Sequence, residues 1–212
     1  MAAPRILDEM IYRLSRAAEF RDEETGLHTR RVGEICFVLA RKLGLGDERA
    51  DLIRLASPLH DLGKIAIPDR ILLKPGPLTP AERAIMEEHA EMGFELLTGS
   101  GQRVLDVAAL IALTHHERFD GNGYPHGLAG DEIALEGRIA AVADVFDAMT
   151  SSRPYRDAES TDAAIEAIRA GSGSQFDPRV VSAFLASVEE NVAIHERLSA
   201  GDPKTPRRQA VA

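Results

Sequence analysis

The chain has 212 residues, one cysteine, seven histidines and a formal net charge of −9. That length suits one domain with a real hydrophobic core, while the acidity argues against broad electrostatic binding to DNA or to an anionic membrane. The lone Cys36 excludes an internal disulfide or a thiolate zinc cluster, and the absence of a signal-peptide or membrane-length apolar run predicts a cytoplasmic protein.

Helical periodicity dominates from the start. Ile6, Leu7, Met10, Ile11, Leu14 and Ala18 recur at spacings of three and four along a first helix. Its Leu7, Met10, Leu14 and Ala17 also fit a short a/d seam, so residues 1–20 form either a signalling helix or the first helix of a bundle. Val32, Ile35, Cys36, Leu39 and Leu43 mark a second helix closed by Gly44, and Asp47 opens a third that runs through Leu52, Leu55 and Leu59 into His60. Thr79-Pro80-Ala81-Glu82 is a capping box with proline at the first helical position. The helix it opens carries Ile85, Met86, His89 and Gly93 on one side, and Val104, Ala108, Ile111 and His115 stack likewise on the next. Glu136 to Met149 reads as a helix bearing Asp144. Thr161 or Asp162 caps a short helix ending at Gly171, and Asp177-Pro178 starts the last one, through Val180, Val181, Phe184, Leu185 and Val188. No run alternates as a strand would, so the expected class is all-α. The main domain is expected over 21–197, and the small, polar, basic segment 198–212 is expected to be disordered.

Chemistry concentrates in one residue set. His60 and Asp61 are adjacent, Glu24 and His28 precede them, and His89, His115, His116 and Asp144 follow. Adjacent residues on a helix diverge by about 100°, so each such pair can reach neighbouring positions of one site, while Glu24 and His28, four apart, share a face. Imidazole and carboxylate without thiolate suit iron, manganese or zinc. So many donors exceed the need of one tetrahedral ion and suit two or three ions with shared groups. The competing reading is a set of separately buried, hydrogen-bonded imidazoles, each of which would be costly. No Ser-His-Asp arrangement and no GxxxxGK[ST] loop is present.

The blocks ETGLHTRRV, LHDLGKIAIPD, ILLKPGPLT, HHERFDGNGYPHGLAG, RIAAVADVFDAMTSSRPYR and GSQFDP together resemble the HD-GYP domain, a branch of the HD metal-dependent phosphohydrolases. The match runs from Arg21 to about Val188 and includes Gly123-Tyr124-Pro125. The resemblance implies a helical bundle around a bi- or trinuclear centre, usually of iron or manganese, that hydrolyses cyclic di-GMP to pGpG and often onward to GMP. It implies metal ligands at His28, His60, Asp61, His89, His115, His116 and Asp144, with Glu24 matching the glutamate of members that hold a third ion. It further implies Asp61 as a bridging catalytic carboxylate and Lys64 as a contact to the scissile phosphate. Tyr124, Arg153 and Arg156 would complete the substrate site. Two such ions lower the pKa of water and stabilise charge on the attacked phosphate, while Lys64 and the arginines neutralise its oxygens.

Other classes of function stay open beside this one. The same core could act on another nucleotide, or serve as a sensor of cyclic di-GMP, or dock onto a GGDEF-domain protein without turnover. The expected partners are cyclic di-GMP, with a GGDEF-domain protein, a sensor or receiver partner, or a second copy in a homodimer. No DNA or membrane partner is expected. The chain is expected either to be free-standing or to have another protein as its regulator.

Overall fold

The computed structural model describes residues 3–21, 27–151 and 158–200. Among the described residues the structure is all-α, without a strand and with two isolated bridges, Asp120 to Ala129 and Ser172 to Phe176. The helices are α1 (Ala3–Glu19), α2 (His28–Lys42), α3 (Asp47–Ala56), α4 (Asp69–Leu72), α5 (Pro80–Glu87) and α6 (His89–Leu97). They are followed by α7 (Arg103–Thr114), α8 (Leu135–Thr150), α9 (Thr161–Ala170), α10 (Pro178–Leu185) and α11 (Val188–Ala200). No helix among the described residues is long and apolar enough to cross a membrane.

The core is organised around α2. Val32, Ile35, Cys36 and Leu39 are wholly buried on the face read from the sequence, and α2 packs against α3, α8, α10 and α11. From α8, Ile139, Val142, Ala143 and Phe146 enter the same core, where Phe146 meets Phe184 of α10 edge-on at 5.1 Å. Each of these larger side chains contributes about 1.5–3 kcal/mol through burial. Burial also pushes the Cys36 thiol up to about 12, so that it behaves as a small hydrophobe.

Several boundaries differ from the periodicity, each for a local reason. The helix that opens at Asp47 ends at Ala56, and a 3-10 turn, Ser57–Leu59, follows it. Pro58 stands in that turn, and proline can donate no main-chain bond. His60 and Asp61 therefore occupy a junction between two 3-10 segments, the second being Leu62–Ala66, and not one continuous helix. Thr79 forms the expected capping box with Glu82, but its helix breaks at Glu88, so His89 begins α6. Ser160, and neither Thr161 nor Asp162, caps α9 by accepting from the Ala163 N–H at 3.1 Å. The last helix of the sequence reading is two, α10 and α11.

On α1 the buried face is Ile11, Ser15 and Ala18, whereas Ile6, Leu7, Met10 and Leu14 are exposed. Ser15 takes a core place because its hydroxyl bonds to the Tyr12 carbonyl at 3.0 Å and meets the Thr29 hydroxyl at 3.4 Å. A hydrophobic count passes over such a residue. The segment 198–212 lies outside the described residues from 201 onward.

Candidate metal centre

Helix ends bring the histidines together. A main-chain carbonyl has two lone pairs, and near a helix end a ring N–H can take one of them. His60 Nδ1 donates to the Ser57 carbonyl at 2.9 Å, His89 Nδ1 to Met86 at 2.7 Å, and His115 Nδ1 to Ala112 at 3.0 Å. A carbonyl oxygen only accepts, so these bonds fix the proton on Nδ1 and leave the Nε2 lone pair free to act as a ligand. Those three Nε2 atoms are buried without a hydrogen-bond partner, as is Asp61 Oδ1. His28 is oriented differently, with Nδ1 2.7 Å from Asp147 Oδ2.

The rings converge. Centroids lie 5.5 Å apart for His28 and His60, 5.1 Å for His60 and His115, and 5.0 Å for His89 and His116. Ligand atoms of Asp61, His89, His115 and His116 lie within 4.8 Å of one another, as do those of His28, His60 and Asp144. Asp61 stands between the groups: Oδ2 is 3.4 Å from His60 Nε2, and Oδ1 is 3.3 Å from His89 Nε2. Buried lone pairs facing two carboxylates would be costly if nothing joined them. This donor set fits divalent cations, and the carbonyl end of α7, at His115, adds favourable partial negative charge.

The electrostatics agree with that use. Burial holds His116 well below the usual imidazole range and pushes His89 down to about 4, so both rings stay neutral. Burial opposes the charge on Asp61, yet Lys64 and His60 outweigh it and hold the carboxyl well below its ordinary value. His60 is raised despite burial because Asp61 adjoins it. Lys64 Nζ lies 2.8 Å from Asp61 Oδ2.

Two close approaches hold the histidine-bearing segments in place. A Cβ on Gly63 would stand 1.9 Å from the His89 carbonyl oxygen and 2.5 Å from Gly93 N, so only glycine lets the turn after Asp61 lie against α6. A Cβ on Gly123 would stand 2.3 Å from Arg118 N and 2.6 Å from the His116 carbonyl oxygen. That contact seats the following Tyr124 on His116, ring centroids 4.6 Å apart and nearly parallel. Beside them opens a cavity of about 470 Å³ lined by Arg83, His115, His116, Arg118, Tyr124 and Asp144, among others.

The sequence reading passed over several groups that the fold brings to this site. Glu117 is buried, and its carboxylate accepts the His126 N–H at 2.8 Å and the Leu128 N–H at 3.0 Å, which fixes the loop carrying Tyr124. Its place directly after His115-His116 was the available signal. Asp147, three residues beyond Asp144 on α8, shares that face and is fully buried against His28 and Arg31. Burial opposes its charge, but Arg31 and His28 bring it down to about 2. Arg21 gathers the carbonyls of Lys64, Ile65 and Ile67 and so braces the turn after Asp61. Of the residues expected at the site, Glu24, Arg153 and Arg156 lie outside the described residues. His28, His60, Asp61, Lys64, His89, His115, His116, Tyr124 and Asp144 are all brought to this region.

Comparison with known proteins agrees with the geometry. The HD domain family matches residues 13–180. The cyclic di-GMP phosphodiesterase response regulator RpfG of Xanthomonas campestris is 52% identical, over 84% of this chain and 47% of that protein. A cyclic di-GMP phosphodiesterase of Thermotoga maritima is 47% identical, over 90% of this chain and 52% of its own length. A 3'3'-cGAMP-specific phosphodiesterase of Vibrio cholerae is also 47% identical, over 90% of this chain and 36% of that protein. The chain thus spans about half the length, or less, of these curated relatives. A solved cyclic GMP-AMP specific phosphodiesterase of V. cholerae shares the fold, with a TM-score of 0.65, 20% identity and coverage of 91% of this chain and 53% of that one.

Proposed function

The chain belongs to the HD domain family, and from that membership and the geometry of the site we propose a metal-dependent phosphodiesterase that hydrolyses cyclic di-GMP in bacterial signalling. Linear pGpG is the first product and GMP the second. The observation that carries the reading is the convergence of buried, unpartnered His60, His89 and His115 Nε2 atoms on Asp61, beside a cavity lined by Tyr124. Relatives named as cyclic di-GMP phosphodiesterases support the substrate.

In this reading His28, His60 and Asp144 would hold one divalent cation, and His89, His115 and His116 would hold another. Asp61 offers one oxygen to each side. Glu24 would serve a third. Nitrogen and oxygen donors without thiolate suit iron, manganese or zinc, and the resemblance to the HD-GYP domain favours iron or manganese. Bound cations supply an acidified water and positive charge for the attacked phosphate.

The chain's own residues do the remaining work. Asp61, ionised at neutral pH, would complete both positions and help to orient the water. Lys64, 2.8 Å from Asp61 Oδ2, presents its ammonium to a phosphate oxygen of the scissile bond. Tyr124 covers His116 and offers a flat wall to the substrate, while Arg153 and Arg156 add the charge that a dianionic ligand requires in an acidic protein. Arg83 and Arg118 line the same cavity, paired with Glu87 and Asp120.

The test is turnover by protein purified without oxygen, its metal measured in the same sample, with cyclic di-GMP, 3'3'-cGAMP and a nucleotide monoester offered separately. Cyclic di-GMP should be cleaved through pGpG. Metal-loaded protein that spares cyclic di-GMP and cleaves 3'3'-cGAMP would favour the second reading, which rests on the Vibrio relative. Binding of cyclic di-GMP without any turnover would make the domain a sensor.

A further inference from the structure

Three of the buried histidines take their direction from a carbonyl three residues back in the chain. His28 takes its direction from a carboxylate 119 residues away, Asp147 of α8. That carboxylate is itself clamped: Arg31, one turn after His28 on α2, reaches Oδ1 through Nε at 2.5 Å and Oδ2 through Nη2 at 2.8 Å. Both Arg31 and Asp147 are buried. Arg31 Nη2 also donates to Ser151 Oγ at 2.8 Å, and His195 Nε2 lies 3.1 Å from that hydroxyl, so the clamp is enclosed from α11 as well.

We propose that Asp147, held by Arg31, is a positioning residue that orients His28 and tunes one of the two cation positions independently of the other. The inference rests on the metal reading above. A carboxylate acceptor fixes the ring's tautomer and direction as a carbonyl does, and makes the opposite nitrogen a stronger donor. The position formed by His28, His60 and Asp144 has this support, and the position formed by Asp61, His89, His115 and His116 has main-chain acceptors at His89 and His115. Moreover, α8 supplies both a ligand of the first position, Asp144, and the support of its neighbour His28, one turn further on.

The experiment counts ions. Chelator-treated wild-type protein and the Asp147→Asn variant, which keeps the size of the side chain, are titrated with Mn(II), and free Mn(II) is read by electron paramagnetic resonance. The variant should keep one tight Mn(II) at the wild-type Kd and bind another about 10–100-fold more weakly. Asp147→Asn leaves the buried Arg31 without its anion and can fail to fold. The double variant Arg31→Leu/Asp147→Asn leaves no buried charge alone and should show the same selective loss. A folded variant, single or double, whose Mn(II) affinities all match wild type or all fall together overturns the proposal, since a purely structural role would not separate the two positions. Wild-type protein that binds no Mn(II) overturns the metal reading itself.

Discussion

The ring of Tyr124 lies over the imidazole of His116, centroids 4.6 Å apart and planes 26° from parallel. The stack joins a loop residue to a proposed metal ligand, and the buried Glu117 carboxylate pins that loop through two main-chain N–H groups. Tyr124→Ala should raise KM for cyclic di-GMP several-fold with metal content unchanged. Glu117→Ala should do the same and also lower the unfolding free energy by about 3 kcal/mol, because two N–H groups lose a charged acceptor. Steady-state kinetics, elemental analysis and urea titration of both variants check this. A Glu117→Ala protein as stable as wild type would contradict it.

Asp61 faces both ligand groups, so its removal should affect both ions. Asp61→Ala should abolish turnover while circular dichroism stays that of the helical fold. Glu24→Ala should do less, removing mainly a third ion and slowing the conversion of pGpG to GMP. Product analysis by chromatography, beside the metal count, distinguishes the two. Near-normal rates in Asp61→Ala would rule out the bridging role.

Gly63→Ala places a methyl group 1.9 Å from the His89 carbonyl oxygen. Backbone lies on the far side of that contact, so α6 must move or the turn after Asp61 must open. We expect a loss of about 3 kcal/mol or more in stability, at the upper end for overpacking, together with weaker metal binding because His89 moves with its helix. Denaturant midpoints and Mn(II) titration measure the two effects.

Protonation gives a pH dependence for chelator-treated protein. Burial pushes His89 down to about 4 in the folded state from an ordinary 6.5, and His116 is likewise lowered first through burial. Between those values the unfolded chain binds more protons, so stability is full above about 6.5 and falls as pH drops toward about 4. His60 is raised and acts in the opposite sense: its contribution is present below 6.5 and is lost as pH rises through its folded value. His195 on α11 is lowered too, again first through burial, so with three rings against one the urea midpoint of metal-free protein should be lower near pH 5 than near pH 7, and metal affinity should fall over the same range as protons compete for the ligands.

Much of the site was legible because ligand chemistry survives errors in helix boundaries. His60 and Asp61 were read on a continuous helix, and they reach the site from a junction between two 3-10 turns instead. Pro58 was in plain view, but the apolar row through Leu52, Leu55 and Leu59 masked the break. The apolar face of α1 was misassigned because a polar Ser15 holds the core position while Met10 and Leu14 face solvent. Asp147 was invisible for a different reason. Its role depends on α8 crossing α2, which places residue 147 beside residues 28 and 31, and no local pattern encodes that crossing.

Because the rings of His60, His89 and His115 are steered by carbonyls three residues back in the chain, their aim is set locally. What remains is the docking of segments whose side chains already point correctly. A cation that arrives therefore meets donors whose rotational freedom has already been surrendered to the fold, and its binding orders little that is not already ordered. Exchange of ions at this site should then be governed by the way in, past Tyr124 and the mouth of its cavity, more than by any rearrangement of the ligands themselves.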